Sequence, residues 1–93
     1  MISKQKLAEN ILELNIGKGI KFLLLVIALN IDEQNGNASI SYKKLRKIMK
    51  YDPGHIIKLV KQCEDLGLLK VSRYSSNTNC YIITLPQTNI AYG

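Results

Sequence analysis

Basic side chains are concentrated in the middle of this 93-residue chain. Residues 41–73 hold nine lysines or arginines and only three acidic residues, whereas basic and acidic residues balance in the rest of the chain. This segment therefore accounts for the whole formal net charge of +6. Lysine and arginine neutralise phosphate groups and donate hydrogen bonds to them. The segment thus predicts binding to a polyanion, either a nucleic acid or an anionic membrane.

Two short helices are predicted to carry these basic residues. The first covers residues 42–49 and follows Ser41, which is a typical N-cap residue. Its apolar residues fall on one face at helical spacing: Leu45, Ile48 and Met49. Lysine and arginine side chains surround that face, so the helix is expected to be amphipathic with a basic exterior.

The second helix, residues 53–66, has the clearest start signal in the chain. Asp52 is a good N-cap, Pro53 is favoured at the first helical position, and Gly67 can end the helix. Its predicted core stripe consists of Ile56, Leu59, Val60, Cys63 and Leu66. Because only three or four residues separate the two helices, the segment predicts a helix-turn-helix arrangement.

The flanking segments supply the rest of a small core. Residues 18–32 predict a central helix that is apolar nearly all round, and residues 38–40 a short extended piece. After Gly67, two strands at residues 68–74 and 80–85 are expected to form a hairpin around a polar loop. Residues 1–19 form an N-terminal extension, helix or strand, whose apolar residues either cover the core or form a homodimer interface: Leu7, Ile11 and Leu14.

This order of elements resembles that of winged helix-turn-helix domains. Residues 20–73 also resemble, more narrowly, the helix-turn-helix domains of plasmid and phage replication proteins and related mobile-element regulators. Those domains share an apolar helix, a glycine-containing turn, an S-x-x-x-L-A start and an L-x-x-x-G-L-I end. The corresponding segments here are Leu23–Leu29, Gly36, Ser41–Leu45 and Cys63–Leu69. The chain departs from the pattern at Arg46, where the pattern has Ala, and at Cys63, where the pattern has Leu.

The resemblance implies an α+β fold that is mostly helical, with a three-helix core, a β-hairpin wing and a short extra N-terminal element. The winged helix domain would cover residues 20–85, followed by a loose tail at 86–93. The implied function is sequence-specific binding to double-stranded DNA, as a transcription regulator or replication initiator of a plasmid, phage or conjugative element. Many winged helix proteins bind as dimers, so a homodimer is expected.

In such domains the second helix of the pair lies in the major groove. The residues expected to contact bases are Gly54, His55, Ile57, Lys58, Lys61 and Gln62. Those expected to contact phosphates are Ser41, Lys43, Lys44, Lys47, Lys50, Lys70 and Arg73. The predicted wing tip suits either phosphate or minor-groove contact or an ordinary hairpin turn, and comprises Ser75, Ser76, Asn77, Thr78 and Asn79.

Each of these residues also has a simpler interpretation. His55 is either a solvated surface histidine or a contact to phosphate or base, and no cysteine or acidic residue stands at ligand spacing to make it a metal site. Ile57 could meet a thymine methyl group, or pack against the loop or another subunit. The basic residues could simply solubilise the surface.

Other classes of function are less well supported by the sequence. It has none of the nucleotide-binding, metalloprotease or serine-hydrolase motifs, so we expect a non-enzyme with no cofactor and no metal. The main alternative is a winged helix that serves as a protein–protein interaction module in a replication or conjugation assembly. Membrane-surface binding by the basic helix at residues 42–50 is disfavoured, because that helix lacks Trp and Phe.

The location of the protein is predicted to be cytoplasmic, without a membrane partner. No secretory signal is visible, and the longest apolar run, residues 22–29, is far shorter than the ~20 residues that a membrane span needs. Cys63 and Cys80 have no CxxC spacing and are expected to be reduced and buried or nearly buried.

Overall fold

The computed structural model describes residues 3–73 and 79–85. This part of the chain is an α+β fold, mostly helical, with four helices and a three-stranded antiparallel sheet. The expected fold class is confirmed at that level. The elements in chain order are α1 (Lys4–Leu12), α2 (Lys18–Leu29), β1 (Asn37–Ile40), α3 (Tyr42–Met49), α4 (Pro53–Asp65), β2 (Leu69–Arg73) and β3 (Asn79–Ile83).

Three of the four helices begin at a side-chain cap. The Ser3 hydroxyl accepts a hydrogen bond from the backbone N–H of Lys6, and the Ser41 hydroxyl accepts one from Lys44 at 3.1 Å. At α4, the carboxylate of Asp52 accepts from the backbone N–H of His55 at 2.9 Å. These caps satisfy backbone donors that have no partner inside the helix, and they fix where α1, α3 and α4 start.

The sheet has the order β1-β3-β2, so the last strand in sequence is the central one. Ile40 of β1 and Arg73 of β2 both lie opposite Asn79, one on each side of β3. The hairpin between β2 and β3 was predicted from the sequence. The pairing of the extended piece before α3 with β3 was not, and it ties the start of α3 to the hairpin.

The helix α2 lies at the centre of the core. Its residues Leu23, Leu24 and Ile27 are fully buried, and side chains from the other helices and the sheet pack in the same cluster. Ile11 of α1 is also fully buried there, with Leu7 and Leu14 packed against the cluster. The N-terminal segment is therefore helical over Lys4–Leu12 and covers the core there, which was one of the two roles predicted for it.

Two apolar side chains of the helix pair differ from their predicted environment. Leu66 was predicted in the core stripe of α4 but is 56% exposed, because the helix ends at Asp65 and Leu68 and Leu69 close that end of the core instead. Ile48 was predicted on the apolar face of α3 but is 41% exposed. An eight-residue helix buries only the centre of its apolar face, which here is Leu45 and Met49.

The prediction for Asn79 was wrong. It was placed in the exposed tip of the wing, but it is the first residue of β3 and is only 5% exposed. Its side-chain amide donates to the hydroxyl of Tyr81 at 3.1 Å, which compensates for the burial of both polar groups. Pairing with β1 on one side and β2 on the other extends the strand to this residue, so Asn79 supports the sheet. The remaining tip residues Ser75, Ser76, Asn77 and Thr78, the tail 86–93 and the side chain of Arg73 lie outside the described structure.

Candidate nucleic-acid interface

The outward face of α4 is the centre of the candidate interface. The opposite face of the helix buries Ile56, Leu59, Val60 and Cys63 in the core. Since successive residues turn by about 100° around a helix, Gly54, Lys58 and Lys61 must point away from that stripe. His55 and Gln62 fall on one flank of the helix and Ile57 on the other. The six residues predicted to contact bases are therefore all exposed along one helix.

The exterior of α3 carries the larger group of basic side chains. Because Leu45 and Met49 face the core, Lys43 and Lys47 lie on the outward side, with Lys44 and Arg46 on the flanks. Arg46 was not among the predicted phosphate contacts, although it is exposed like Lys44 and Lys47. The exposed residues that can supply positive charge to a polyanion are Lys43, Lys44, Arg46, Lys47, Lys50, Lys58, Lys61 and Lys70.

Two of the predicted phosphate contacts also have structural roles. The Lys44 ammonium group donates to the side-chain oxygen of Asn30, at the end of α2, at 3.3 Å. The Ser41 hydroxyl accepts the capping hydrogen bond described above and is half-buried. Both groups can still donate to a phosphate, because an ammonium has three N–H donors and a hydroxyl has its own O–H.

The connection between α3 and α4 has a strained backbone at Lys50. This residue has φ 62° and ψ 30°, in the left-handed region that favours glycine, and its backbone N–H donates to the carbonyl of Arg46 at 2.8 Å. The left-handed conformation ends α3 and turns the chain toward Asp52. The Lys50 side chain is exposed, three residues before α4 begins at Pro53.

Aromatic side chains pack beside the start of α4, which the sequence analysis did not predict. The rings of Tyr51 and His55 are stacked, with centroids 4.4 Å apart and planes at 20°. Phe22 of α2 meets Tyr51 edge to face, with a centroid distance of 5.9 Å. A residue just before an N-cap commonly packs against the first turn of its helix. The position of Tyr51 directly before Asp52 was therefore the sequence signal that could have predicted its packing on α4.

A shallow groove lies along the other flank of α4, next to the start of α3. It has a volume of about 380 Å³ and is lined by Tyr42, Ile57, Val60, Lys61, Glu64 and Asp65. Ile57 is 51% exposed in this groove. The groove therefore offers apolar contact through Ile57 and Val60, and its lining also carries the charges of Lys61, Glu64 and Asp65.

The two cysteines are shielded from solvent. Cys63 and Cys80 are both free thiols and both buried. Burial raises the pKa of the Cys63 thiol from 9.0 to about 12, and the neighbouring carboxylate of Glu64 adds to the shift. Because only the thiolate is reactive, Cys63 stays inert at neutral pH.

Residues 3–73 and 79–85 lack two further kinds of feature. No group of three or more His, Cys, Asp or Glu side chains in this part of the chain could hold a metal ion. None of its helices has the length and hydropathy needed to cross a bilayer.

Comparison of the chain with protein-family models, curated proteins and solved structures found no match in any of the three.

Proposed function

We propose that this chain is a winged helix-turn-helix protein that binds double-stranded DNA in a sequence-specific manner. The observation that carries the proposal is the outward face of α4, where Lys58, Lys61 and Gly54 are exposed opposite a fully apolar buried stripe. A helix of this kind, held on a small core by a preceding helix, fits the major groove and can present its side chains to base edges.

The arrangement of the elements supports the winged helix assignment. The helices α2, α3 and α4 pack around one core, β1 lies between α2 and α3, and β2 and β3 form a hairpin directly after α4. This is the order of a winged helix domain. The antiparallel pairing of β1 with β3 adds a third strand, which attaches the hairpin to the helical core.

The basic residues divide into two roles under this proposal. Lys43 and Lys47 of α3, with Lys50 in the connection, neutralise phosphates and set the position of the protein on the duplex without reading its sequence. Lys58 and Lys61 of α4 donate to guanine acceptors in the DNA major groove, and Gly54 lets the helix backbone approach the bases closely. The function that fits these roles is a transcription regulator or replication initiator of a plasmid, phage or conjugative element, acting in the cytoplasm as a homodimer.

Binding to DNA can be tested by fluorescence anisotropy on a duplex selected by the protein and on a scrambled duplex. The selected duplex comes from a randomised pool of about 20 base pairs, long enough for two half-sites. If about six cations neutralise phosphates, log K falls with log salt at a slope near −5, from about 0.9 per contact. A slope shallower than about −2, or equal affinity for the two duplexes, would contradict the proposal.

Variants separate the two roles of the basic residues. We expect K43A/K47A to weaken binding equally on both duplexes and to reduce the salt slope by about 2. We expect K58A to weaken binding mainly to the selected duplex, by about 1–3 kcal/mol. K6A removes one exposed charge from α1, outside the interface, and serves as the control that leaves both affinities unchanged.

A second candidate function is a winged helix that binds another protein in a replication or conjugation assembly. The exposed Ile57 and the groove beside it favour this alternative, because apolar contact surface is typical of protein interfaces. The same experiment discriminates the two functions. A protein module would enrich no duplex from the pool and would bind DNA weakly and without regard to sequence.

A further inference from the structure

Three aromatic side chains from separate parts of the fold meet beside the first turn of α4. Phe22 comes from α2, Tyr51 from the connection and His55 from α4 itself. Phe22 contacts the ring of Tyr51 edge to face, and the rings of Tyr51 and His55 are stacked with their centroids 4.4 Å apart. Edge-to-face and stacked geometries are the two favourable arrangements of aromatic rings. Phe22 therefore holds the ring of Tyr51, and the ring of Tyr51 in turn holds that of His55.

The stack on Tyr51 restricts the rotamers of the exposed His55 side chain. His55 is the third residue of α4 and is exposed, and its backbone N–H is held by the carboxylate of Asp52 at 2.9 Å. An exposed side chain in the first turn of a helix normally samples several rotamers. Stacking on Tyr51 covers one face of the imidazole and leaves the ring edge, with its two nitrogen atoms, available for hydrogen bonds.

We propose that Tyr51 is a positioning residue that determines sequence specificity through His55. Resting on Phe22, Tyr51 holds the imidazole edge at the end of α4 that enters the major groove first, where it hydrogen-bonds to one base pair. The inference rests on the proposed function. Fixing the imidazole before binding removes part of the entropy lost when the contact forms, so the benefit is confined to the duplex on which that contact exists.

The test is a double-mutant cycle on the full chain, with the selected and scrambled duplexes described above. We expect H55A and Y51L each to weaken binding to the selected duplex by about three- to tenfold. The double variant Y51L/H55A should be no weaker than H55A, because Tyr51 acts only through His55. Binding to the scrambled duplex should be unchanged in all three. Y51F keeps the ring, loses only the hydroxyl and should bind as the wild-type chain does.

The inference would be overturned if the affinity loss of Y51L/H55A equalled the product of the losses of the two single variants. It would also be overturned if a variant lost as much affinity for the scrambled duplex as for the selected one, or if Y51L bound the selected duplex as tightly as wild type. Urea denaturation of each variant establishes that it is folded at the binding temperature. F22L provides a second route if Y51L is unstable, since it removes the edge contact without altering the connection. We expect F22L to weaken binding to the selected duplex alone, by a smaller factor than Y51L.

Failure of the inference can be distinguished from failure of the proposed function. In the absence of DNA, the ring-proton resonances of His55 should carry a ring-current shift that Y51L removes and Y51F retains. If the wild-type chain enriches a duplex but the cycle shows no coupling, only the positioning role is wrong. If the wild-type chain enriches no duplex, the proposed function is wrong and the inference is overturned with it, even where the resonance shift is present.

Discussion

At the scale of single residues, Lys50 holds a backbone conformation that its side chain disfavours. A non-glycine residue in the left-handed region costs about 1–2 kcal/mol, and glycine occupies that region freely. Lys50 adopts φ 62° at the turn where α3 ends. Strain of this kind is often found at functional sites, where the side chain is retained for its function although it lowers the stability of the fold. The exposed ammonium beside α4 is the group that would give Lys50 such a role.

The strain and the charge of Lys50 can be separated with two variants. We expect K50G to stabilise the fold by about 0.5–1 kcal/mol in urea denaturation, because relief of strain exceeds the added entropy of the unfolded chain. K50A removes the same charge but keeps the strained backbone, so its stability should stay close to wild type. If the chain binds DNA as proposed, both variants should reduce the salt slope of that binding by about 1. An unchanged slope in both would remove Lys50 from the interface.

The buried thiol of Cys63 makes stability sensitive to alkaline pH. Its pKa is raised from 9.0 to about 12 in the folded chain, mainly by burial. Between those values the unfolded chain has lost a proton that the folded chain retains, so unfolding becomes more favourable as pH rises. The contribution of this group to the unfolding free energy is constant below pH 9 and falls by up to about 1.4 kcal/mol per pH unit above it.

The variant C63A tests this dependence. At pH 7 it should be less stable than wild type by about 1 kcal/mol, through the lost packing of the sulfur atom. Wild type should lose about 2 kcal/mol more than C63A between pH 7 and pH 10.5, so that the variant becomes the more stable of the two. Urea denaturation of both proteins at each pH measures the difference. Parallel curves would show that the thiol is not the group responsible.

At the scale of elements, the end of α4 determines how the hairpin leaves the helix. The backbone N–H of Leu68 donates to the carbonyl of Cys63 at 2.9 Å, and that of Gly67 donates to Glu64 at 3.0 Å. These are the two hydrogen bonds of a Schellman motif, which requires a left-handed residue, here Gly67 with φ 76°. The hydroxyl of Thr84 then donates to the Gly67 carbonyl at 2.8 Å and ties the end of β3 to this turn.

Two glycine substitutions isolate the backbone requirement at Gly67. A Cβ at either Gly67 or Gly17 would meet no atom within 4 Å, but only Gly67 has a positive φ. We expect G67A to lower the unfolding free energy by about 1–2 kcal/mol. G17A should change it by less than about 0.5 kcal/mol, because the weaker N-cap and the less flexible unfolded chain act in opposite directions. Equal effects in thermal or urea unfolding would contradict the role of the left-handed turn.

Local signals predicted most of the elements but not how they meet. Capping by Ser41 and Asp52, Pro53 and the apolar spacing placed α3 and α4 within one residue of their observed bounds. The pairing of β1 with β3 joins residues about forty positions apart, and no local pattern encodes such a contact. The burial of Asn79 follows from the same pairing, so its predicted place in the wing tip was wrong.

The same distinction applies to the candidate site. The exposed positions of α4 followed from helical periodicity alone, which needs only the buried stripe as a reference. The contact of Phe22 with Tyr51 depends on how α2 crosses the connection, which is a property of the packed fold. The stack on His55 was therefore not foreseen, although the histidine itself was singled out.

At the scale of the whole molecule, α1 is part of the same core as the helix pair. Ile11 is fully buried among residues of the central cluster, whereas the next residue, Leu12, is 56% exposed. We expect I11A to destabilise the chain by about 2–5 kcal/mol and L12A by less than about 0.5 kcal/mol. Both should be measured by urea denaturation followed by circular dichroism. Similar small effects would indicate that α1 is a separable extension.

The order β1-β3-β2 also has a consequence for how the chain reaches its native state. Both outer strands precede the central one in sequence, and they cannot pair with each other in the native sheet. Until β3 arrives, a nascent or truncated chain presents two open edges with unpaired amide and carbonyl groups, which are sites for joining other chains. The helices can fold from local contacts, but the sheet must wait for a long loop to close. We therefore expect a chain that stops before residue 79 to aggregate and not to form a smaller folded domain.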